Sequence, residues 1–128
     1  ERIEHLIGRV ELVQADLLEP PFRDATFDCV ICSEVIEHIP GKEALEALTR
    51  ILKPGGILVL GTPDYSKRTW RILERLYGWV HPQGHVHEHV THYTYASLKA
   101  CLEQLGFRIL KAAYICNAEL IIQAKKGS

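Results

Sequence analysis

Two short apolar segments with a helical pattern between them constrain the fold of this chain more than any other feature. Residues 27–32 and 57–60 are almost continuously apolar, the pattern of parallel strands that are covered on both faces. Residues 42–53 have the periodicity of an amphipathic helix, and the Pro-Gly-Gly sequence at 54–56 ends it. A strand, a helix and a second buried strand in this order predict a β-α-β unit.

The rest of the chain extends this alternation. We therefore expect one α/β domain over residues 1–128, with a Rossmann-like, mainly parallel sheet, helices on both faces and an antiparallel C-terminal hairpin. The further predicted elements are the end of a helix at 2–7, a strand at 10–17, a helix at 69–80, a helix that Thr94 caps and Gly106 ends, and hairpin strands at 108–115 and 119–124.

Composition excludes several classes of protein. With 128 residues of which 47% are apolar, the chain has enough apolar content to fold around a core. No apolar run reaches the ~20 residues that cross a bilayer, and a net charge of -1 argues against a general nucleic-acid binder. Four cysteines are too few for a disulfide-stapled miniprotein, and reduced thiols suit a cytoplasmic protein.

Polar residues follow three of the predicted strands. They are Asp16, the pair Ser33 and Glu34, and the segment 62–64 with the sequence Thr-Pro-Asp. In open α/β sheets, ligands bind beyond the carboxyl ends of the strands. We therefore expect these residues to lie along one edge of the sheet and to form the functional site.

Four segments together resemble a known family. Residues 14–17 (QADL), 27–39 (FDCVICSEVIEHI), 52–59 (LKPGGILV) and 97–107, which end in Gly-Phe, follow the order and spacing of class I S-adenosylmethionine-dependent methyltransferases. The resemblance implies S-adenosylmethionine as the cofactor. It also implies methyl transfer to a small-molecule or lipid-like acceptor.

The resemblance also implies which residues bind the cofactor. The Asp16 carboxylate would accept a hydrogen bond from the amino group of adenine, and the Leu17 backbone amide would donate one to a ring nitrogen. The backbone at Cys32 and Ser33 would lie beside the methionine part. Glu34 would belong to an acidic rim that suits the positively charged sulfur.

One part of the family pattern is missing. The glycine-rich loop after the family's first strand has no counterpart among the nine glycines, and neither does the acidic residue that ends its second strand. The chain thus resembles the C-terminal two-thirds of such a domain, with the N-terminal strands absent. We expect weak cofactor binding or none, an isolated chain without activity, and uncovered strand edges that pair with a second copy or close directly.

The acceptor side of the site is predicted from two segments. His38 is the candidate base or substrate contact, and the alternative is a histidine that caps its own turn. Residues 64–93 resemble the insertion that forms a substrate lid in the family. The predicted substrate-side residues are Pro63, Asp64, Tyr65, His89 and His92.

Five histidines between residues 81 and 92 leave an alternative function open. The chain would then be a metal-binding or interaction module, or a metal-dependent site like that of small-RNA 3′-terminal 2′-O-methyltransferases, which these residues loosely resemble. The metal set in that case is Glu34, Glu37 and His38 with His89 or His92. The simpler interpretation is a substrate-side loop whose histidines cap, pack or face solvent.

The helix predicted at 69–80 is amphipathic. Arg68, Arg71 and Arg75 share one stripe, and Leu73, Leu76, Tyr77 and Val80 lie on the other side. Such a helix lies on a membrane, binds a phosphorylated or lipid-linked substrate, or presents a solvated face over a packed one.

Overall fold

A computed structural model describes residues 10–80 and 90–128. Strands and helices alternate through the first part of the chain, and two strands close it. The elements are β1 (Phe27–Ser33), a 3-10 turn (Ile36–His38), α1 (Glu43–Ile51), β2 (Leu52–Pro63), α2 (Arg68–Val80), α3 (Tyr95–Gln104), β3 (Phe107–Ile115) and β4 (Glu119–Lys126).

The described strands form one mixed sheet in the order β1-β2-β4-β3. β1 and β2 are parallel, as the β-α-β pattern predicts, whereas β4 is antiparallel to both β2 and β3. The Rossmann-like α/β fold and the C-terminal hairpin are confirmed. The parallel share of the sheet is smaller than expected, since one of the three described pairings is parallel.

The core lies on one face of this sheet. Leu58, Leu60 and Thr62 of β2 pair with Ala124, Ile122 and Leu120 of β4, and all six side chains are buried. Leu45 and Leu48 of α1 and Leu98 and Leu102 of α3 belong to the same buried cluster. Helices α1 and α3 therefore cover the same face of the described sheet.

The opposite face is apolar but open. Ile31 of β1 pairs with Val59 of β2, and the Ile31 side chain is 73% exposed. Val59 and Ile121 on this face are half-buried. Strands with apolar residues on both sides are expected to be buried on both faces. In the described part of the chain, only one face of the sheet is buried.

The strand predicted at residues 10–17 is wrong. Apart from a single bridge at Val10, the backbone is irregular there, and every side chain except that of Leu17 is exposed. A β-rich segment becomes a strand only when a neighbouring strand accepts its hydrogen bonds. β2 already has β1 and β4 as neighbours, and residues 11–17 do not pair with the outer edge of β1. The predicted helix end at 2–7 lies outside the described residues.

The predicted helices differ from the observed ones mainly at their ends. α1 stops at Ile51, because the fully buried Leu52 already pairs with Phe27 as part of β2. Thr94 caps α3 as expected, with its hydroxyl accepting from the Ser97 N–H in a reciprocal capping box. Among the helices of the described ranges, none combines the length and apolar character that crossing a bilayer requires.

Candidate active site

The carboxyl ends of β1 and β2 bring the predicted polar residues to one edge. Ser33 pairs with Gly61, and the Glu34 N–H donates to the Gly61 carbonyl over 2.9 Å. Glu119 begins β4 at the same edge, since it pairs with Pro63. The structure therefore gathers side chains from three strands at one place, as the β-α-β pattern predicts for two of them.

A groove of about 460 Å³ opens beside β1, within the roughly 300–1,000 Å³ range of small-molecule sites. Four of the five residues predicted to bind the cofactor line it, namely Asp16, Leu17, Cys32 and Ser33. Its other walls are mostly apolar and come from the segment before β1, from β1 itself, from the connection after it and from α1. They are Val13, Ala15, Pro20, Phe22, Val30, Ile31, Val35, Leu48 and Ile51.

Asp16 is fixed by a turn, although its segment is not a strand. Its Oδ1 accepts a hydrogen bond of 2.9 Å from the Leu18 N–H, and its carbonyl accepts one of 3.2 Å from Glu19. No donor among residues 10–80 and 90–128 bonds to Oδ2. The hydrogen bond at Oδ1 therefore orients the carboxylate, and Oδ2 is available to accept a hydrogen bond from a ligand.

Gly61 is a site residue that the sequence analysis missed. A Cβ at this position would lie 2.5 Å from the Ser33 Oγ and 3.1 Å from a methyl carbon of Ile121. Glycine lets β2 approach Ser33 this closely, because a Cβ here would require the Ser33 hydroxyl to move. The available signal was a glycine at the end of a buried strand, which marks a close backbone approach.

Glu34 lies in a strained and electrostatically crowded position. Its backbone has φ 58°, in the left-handed region that costs a non-glycine residue free energy. Burial, a hydrogen bond with Glu119 and the nearby Glu37 raise the pKa of the Glu34 carboxyl to about 8. The sequence analysis missed Glu119, because its place at this edge depends on the register of the hairpin.

Glu37 is fully buried in the 3-10 turn beside this edge. Its Oε2 accepts a 3.3 Å hydrogen bond from the Thr62 hydroxyl, and its carbonyl accepts from the N–H groups of Val90 and Thr91, both at 2.9 Å. Its Oε1 has no hydrogen-bond partner among the described residues. The Nε2 of His38 lies 3.8 Å from that oxygen. The exposed His38 ring thus lies beside a fully buried carboxyl group.

Asp64 has the opposite environment. Its Oδ1 accepts from the Ser66 N–H (2.9 Å) and hydroxyl (2.6 Å), and its Oδ2 accepts from the Tyr114 hydroxyl (2.8 Å) and the Tyr95 N–H (3.4 Å). Burial alone raises the pKa of this carboxyl, but the hydrogen bonds from Ser66, Tyr114 and Tyr95 together lower it. Burial, followed by the hydrogen bond to Asp64, raises the pKa of the Tyr114 hydroxyl to about 12. Asp64 thus ties the end of β2 to α3 and β3, and its contact with substrate stays a prediction.

The next group of predicted substrate-side residues lies beside the hydrogen bonds of Asp64. The rings of Tyr65 and His92 stack with centroids 4.0 Å apart and planes 9° apart, and the Tyr65 N–H donates to the Tyr93 carbonyl. Pro63 ends β2 beside Glu119. His89 lies outside the described residues, as do the histidines at 81, 85 and 87. Within the described ranges, no group of three or more metal-binding side chains is arranged to hold a metal ion.

Comparisons with known proteins agree with this geometry. Residues 3–112 match the model of a methyltransferase domain family. The chain is 42% identical over 74 residues to the ubiquinone/menaquinone biosynthesis C-methyltransferase UbiE of Cronobacter sakazakii, covering 56% of this chain and 28% of that protein. Against UbiE of Pseudomonas savastanoi pv. phaseolicola, identity is 43% over 72 residues, covering 55% and 27%.

A solved structure shows the same fold. The SAM-dependent methyltransferase of Thermotoga maritima superposes with a TM-score of 0.70 at 20% identity, over 98% of this chain and 70% of that one. The chain thus spans less than a third of the curated relatives that it matches. The family that the four sequence segments resemble is confirmed, and its cofactor is S-adenosylmethionine. This chain belongs to the methyltransferase domain family, of the class I S-adenosylmethionine-dependent type.

Proposed function

We propose that this chain forms the adenine side and the acceptor side of a methyl-transfer site that acts on a lipid-like, quinone-type acceptor. One observation carries the proposal. The groove beside β1 collects Asp16, Leu17, Cys32 and Ser33, residues that are up to 17 positions apart in the sequence, on the edge where α/β sheets bind ligands.

The described residues fit one end of the cofactor. The Asp16 Oδ2 suits the amino group of adenine, and the walls from Leu48, Ile51 and Val30 suit the faces of its ring. When bound, S-adenosylmethionine supplies an electrophilic methyl group on a positively charged sulfur. The ribose and the amino acid part lack a matching glycine-rich turn in this sequence, so we expect this chain alone to bind weakly and to show no turnover.

The acceptor side is assigned to the carboxylates and the imidazole at the sheet edge. His38 is the proposed proton acceptor, because imidazole is a frequent acid–base group and this exposed ring lies at the sheet edge, 3.8 Å from the Glu37 carboxyl. Glu34 at the carboxyl end of β1 and Glu119 at the start of β4 bring two further carboxyl groups to this edge, with a raised pKa at Glu34. The ionised carboxyl groups of this edge would favour a cationic ligand.

The nature of the acceptor rests on the relatives. Both UbiE proteins are named for C-methyl transfer in ubiquinone and menaquinone biosynthesis. A quinone-type acceptor is lipid-like. The fold alone does not select an acceptor, since one fold hosts many reactions.

Binding of S-adenosylhomocysteine to the 128-residue chain tests the groove. Ligand-observed NMR is suited to weak binding, and we expect a dissociation constant in the millimolar range. Replacing Asp16 by Ala removes a charged hydrogen-bond acceptor and should weaken binding on the order of tenfold. The matched control is Asp28→Ala, which removes an exposed carboxylate away from the groove.

Three results decide the outcome. Loss of binding in Asp16→Ala with no change in Asp28→Ala supports the groove as the adenine side. Equal binding by both variants contradicts that assignment. Micromolar binding by the unmodified chain contradicts the expectation that the missing glycine-rich turn is required.

A further inference from the structure

Helix α2 carries an apolar side that the described structure leaves uncovered. Ile72, Leu76 and Trp79 are spaced four and three residues apart and so share one side of the helix. The Trp79 side chain is 81% exposed, and those of Ile72 and Leu76 are more than half exposed. Leu73 and Val80 widen this side and are also exposed. A run of exposed apolar side chains of this length marks an interaction surface.

A basic stripe flanks the apolar side. Arg68, Arg71 and Arg75 follow at intervals of three and four residues, and together with Ile72 they line a groove of about 320 Å³. The Nε of Arg71 donates to the Tyr65 carbonyl over 3.3 Å, which ties the start of the helix to the end of β2. The helix contains one acidic residue, Glu74.

We propose that α2 is a membrane-surface helix that lies flat on anionic phospholipid. Its apolar side would enter the boundary between headgroups and acyl chains, and the three arginines would reach lipid phosphates from the flank. Arginine suits this task because its planar guanidinium donates two parallel hydrogen bonds to phosphate. The proposal goes beyond the methyl-transfer function and holds whether or not the acceptor is lipid-like.

The combination of features selects a bilayer over other partners. A nucleic acid would pair with the arginines but would leave Trp79, Leu76 and Val80 in water. A second copy of α2 would cover the apolar side but would bring like charges together along the stripe. An anionic membrane matches both the apolar side and the positive flank.

The chain offers a direct probe, because both of its tryptophans, at positions 70 and 79, are in α2. We expect the tryptophan emission to shift to the blue on phosphatidylcholine vesicles that contain phosphatidylglycerol, with co-sedimentation of the protein. Pure phosphatidylcholine vesicles should bind much less, and added salt should release the protein from the anionic ones.

Two triple variants that remove the same charge distinguish an effect of the arginine stripe from an effect of the overall positive charge. Replacing Arg68, Arg71 and Arg75 by Gln should weaken binding to anionic vesicles on the order of 100-fold. The control replaces Arg108, Lys111 and Lys125 by Gln, which removes the same charge from exposed positions on β3 and β4. Leu76→Glu should abolish the blue shift while the circular dichroism spectrum stays unchanged, since this side chain is exposed.

The proposal is overturned by three results. The first is binding that the two triple variants reduce equally, and the second is binding that Leu76→Glu leaves intact. The third is a blue shift that grows with protein concentration in the absence of vesicles, which would assign the apolar side of α2 to a second copy of the chain.

Discussion

Asp64 and Glu37 are both fully buried carboxylates at the same sheet edge, yet their surroundings differ sharply. Asp64 accepts four hydrogen bonds that use both of its oxygens. Glu37 accepts one hydrogen bond of 3.3 Å from Thr62, and its Oε1 has none among the described residues. A buried charge that is fully paired stabilises the fold, whereas one that is poorly paired costs free energy and is retained where it serves chemistry. The comparison thus separates a structural carboxylate from a candidate functional one.

The largest effect should come from breaking the structural side of this comparison. Asp64→Asn removes a buried charge and at least one of the bonds to Tyr114 and Tyr95, so the free energy of unfolding should fall by about 3 kcal/mol. Urea denaturation measures it. In the unmodified chain, this contribution is present above the ordinary pKa of 3.8 and is lost as pH falls through the lowered pKa of folded Asp64.

Two variants control for this effect. Asp28→Asn breaks an exposed ion pair with Lys53, in which the Asp28 side chain is 88% exposed, and should change the free energy of unfolding by less than about 0.5 kcal/mol. Tyr114→Phe removes one bond to Asp64 and should cost about 1 kcal/mol. If the Asp64→Asn and Asp28→Asn variants are equally stable, Asp64 does not have the structural role that we assign to it.

Glu37 should respond in the opposite direction. Glu37→Gln keeps the shape of the side chain and replaces a buried carboxyl group, one oxygen of which has no hydrogen-bond partner among the described residues, by a neutral amide. The free energy of unfolding should therefore rise by about 1 kcal/mol at neutral pH. Thermal unfolding followed by circular dichroism gives the sign. A loss comparable to that of Asp64→Asn would show that Glu37 is as well satisfied as Asp64 and would end the contrast.

The effect at Glu34 should be seen as a pH dependence of stability. Its pKa is raised from 4.5 to about 8, so its contribution to stability is fully present below pH 4.5 and is lost as pH rises through about 8. The unmodified chain should thus be less stable above pH 8, and Glu34→Gln should flatten this decline. Glu11→Gln, at an exposed position, should leave the pH profile unchanged. Identical profiles for the Glu34 and Glu11 variants would contradict the crowding of carboxylates at this edge.

Local signals predicted most of the fold. The apolar segments at 27–32 and 57–60, the cap at Thr94 and the short turn before Glu119 each specify their element within a few residues. The strand at 10–17 could not be predicted correctly, because strand formation depends on a neighbour distant in sequence. The contacts of Asp64 with Tyr95 and Tyr114 depend on the packing of α3 and β3, and no spacing in the sequence shows them.

The site followed the same division. Asp16, Leu17, Cys32 and Ser33 were predicted from short segments, and one groove brings them together. Glu119 and Gly61 were missed, because their importance comes from register: one begins the strand that returns to the site, and the other admits Ser33 at close range. Side-chain chemistry can be predicted from sequence where it lies within a segment, and less well where it crosses strands.

The strand order has a consequence for synthesis of the protein. β4 lies between β2 and β3, so β2 keeps an unpaired edge until Glu119–Lys126 has left the ribosome. At roughly 5–20 residues per second, that exposure lasts several seconds after β2 itself emerges. During this interval, the free edge of β2 is a template for pairing with other nascent chains. The fold itself does not yet cover this edge, so we expect chaperones to protect it.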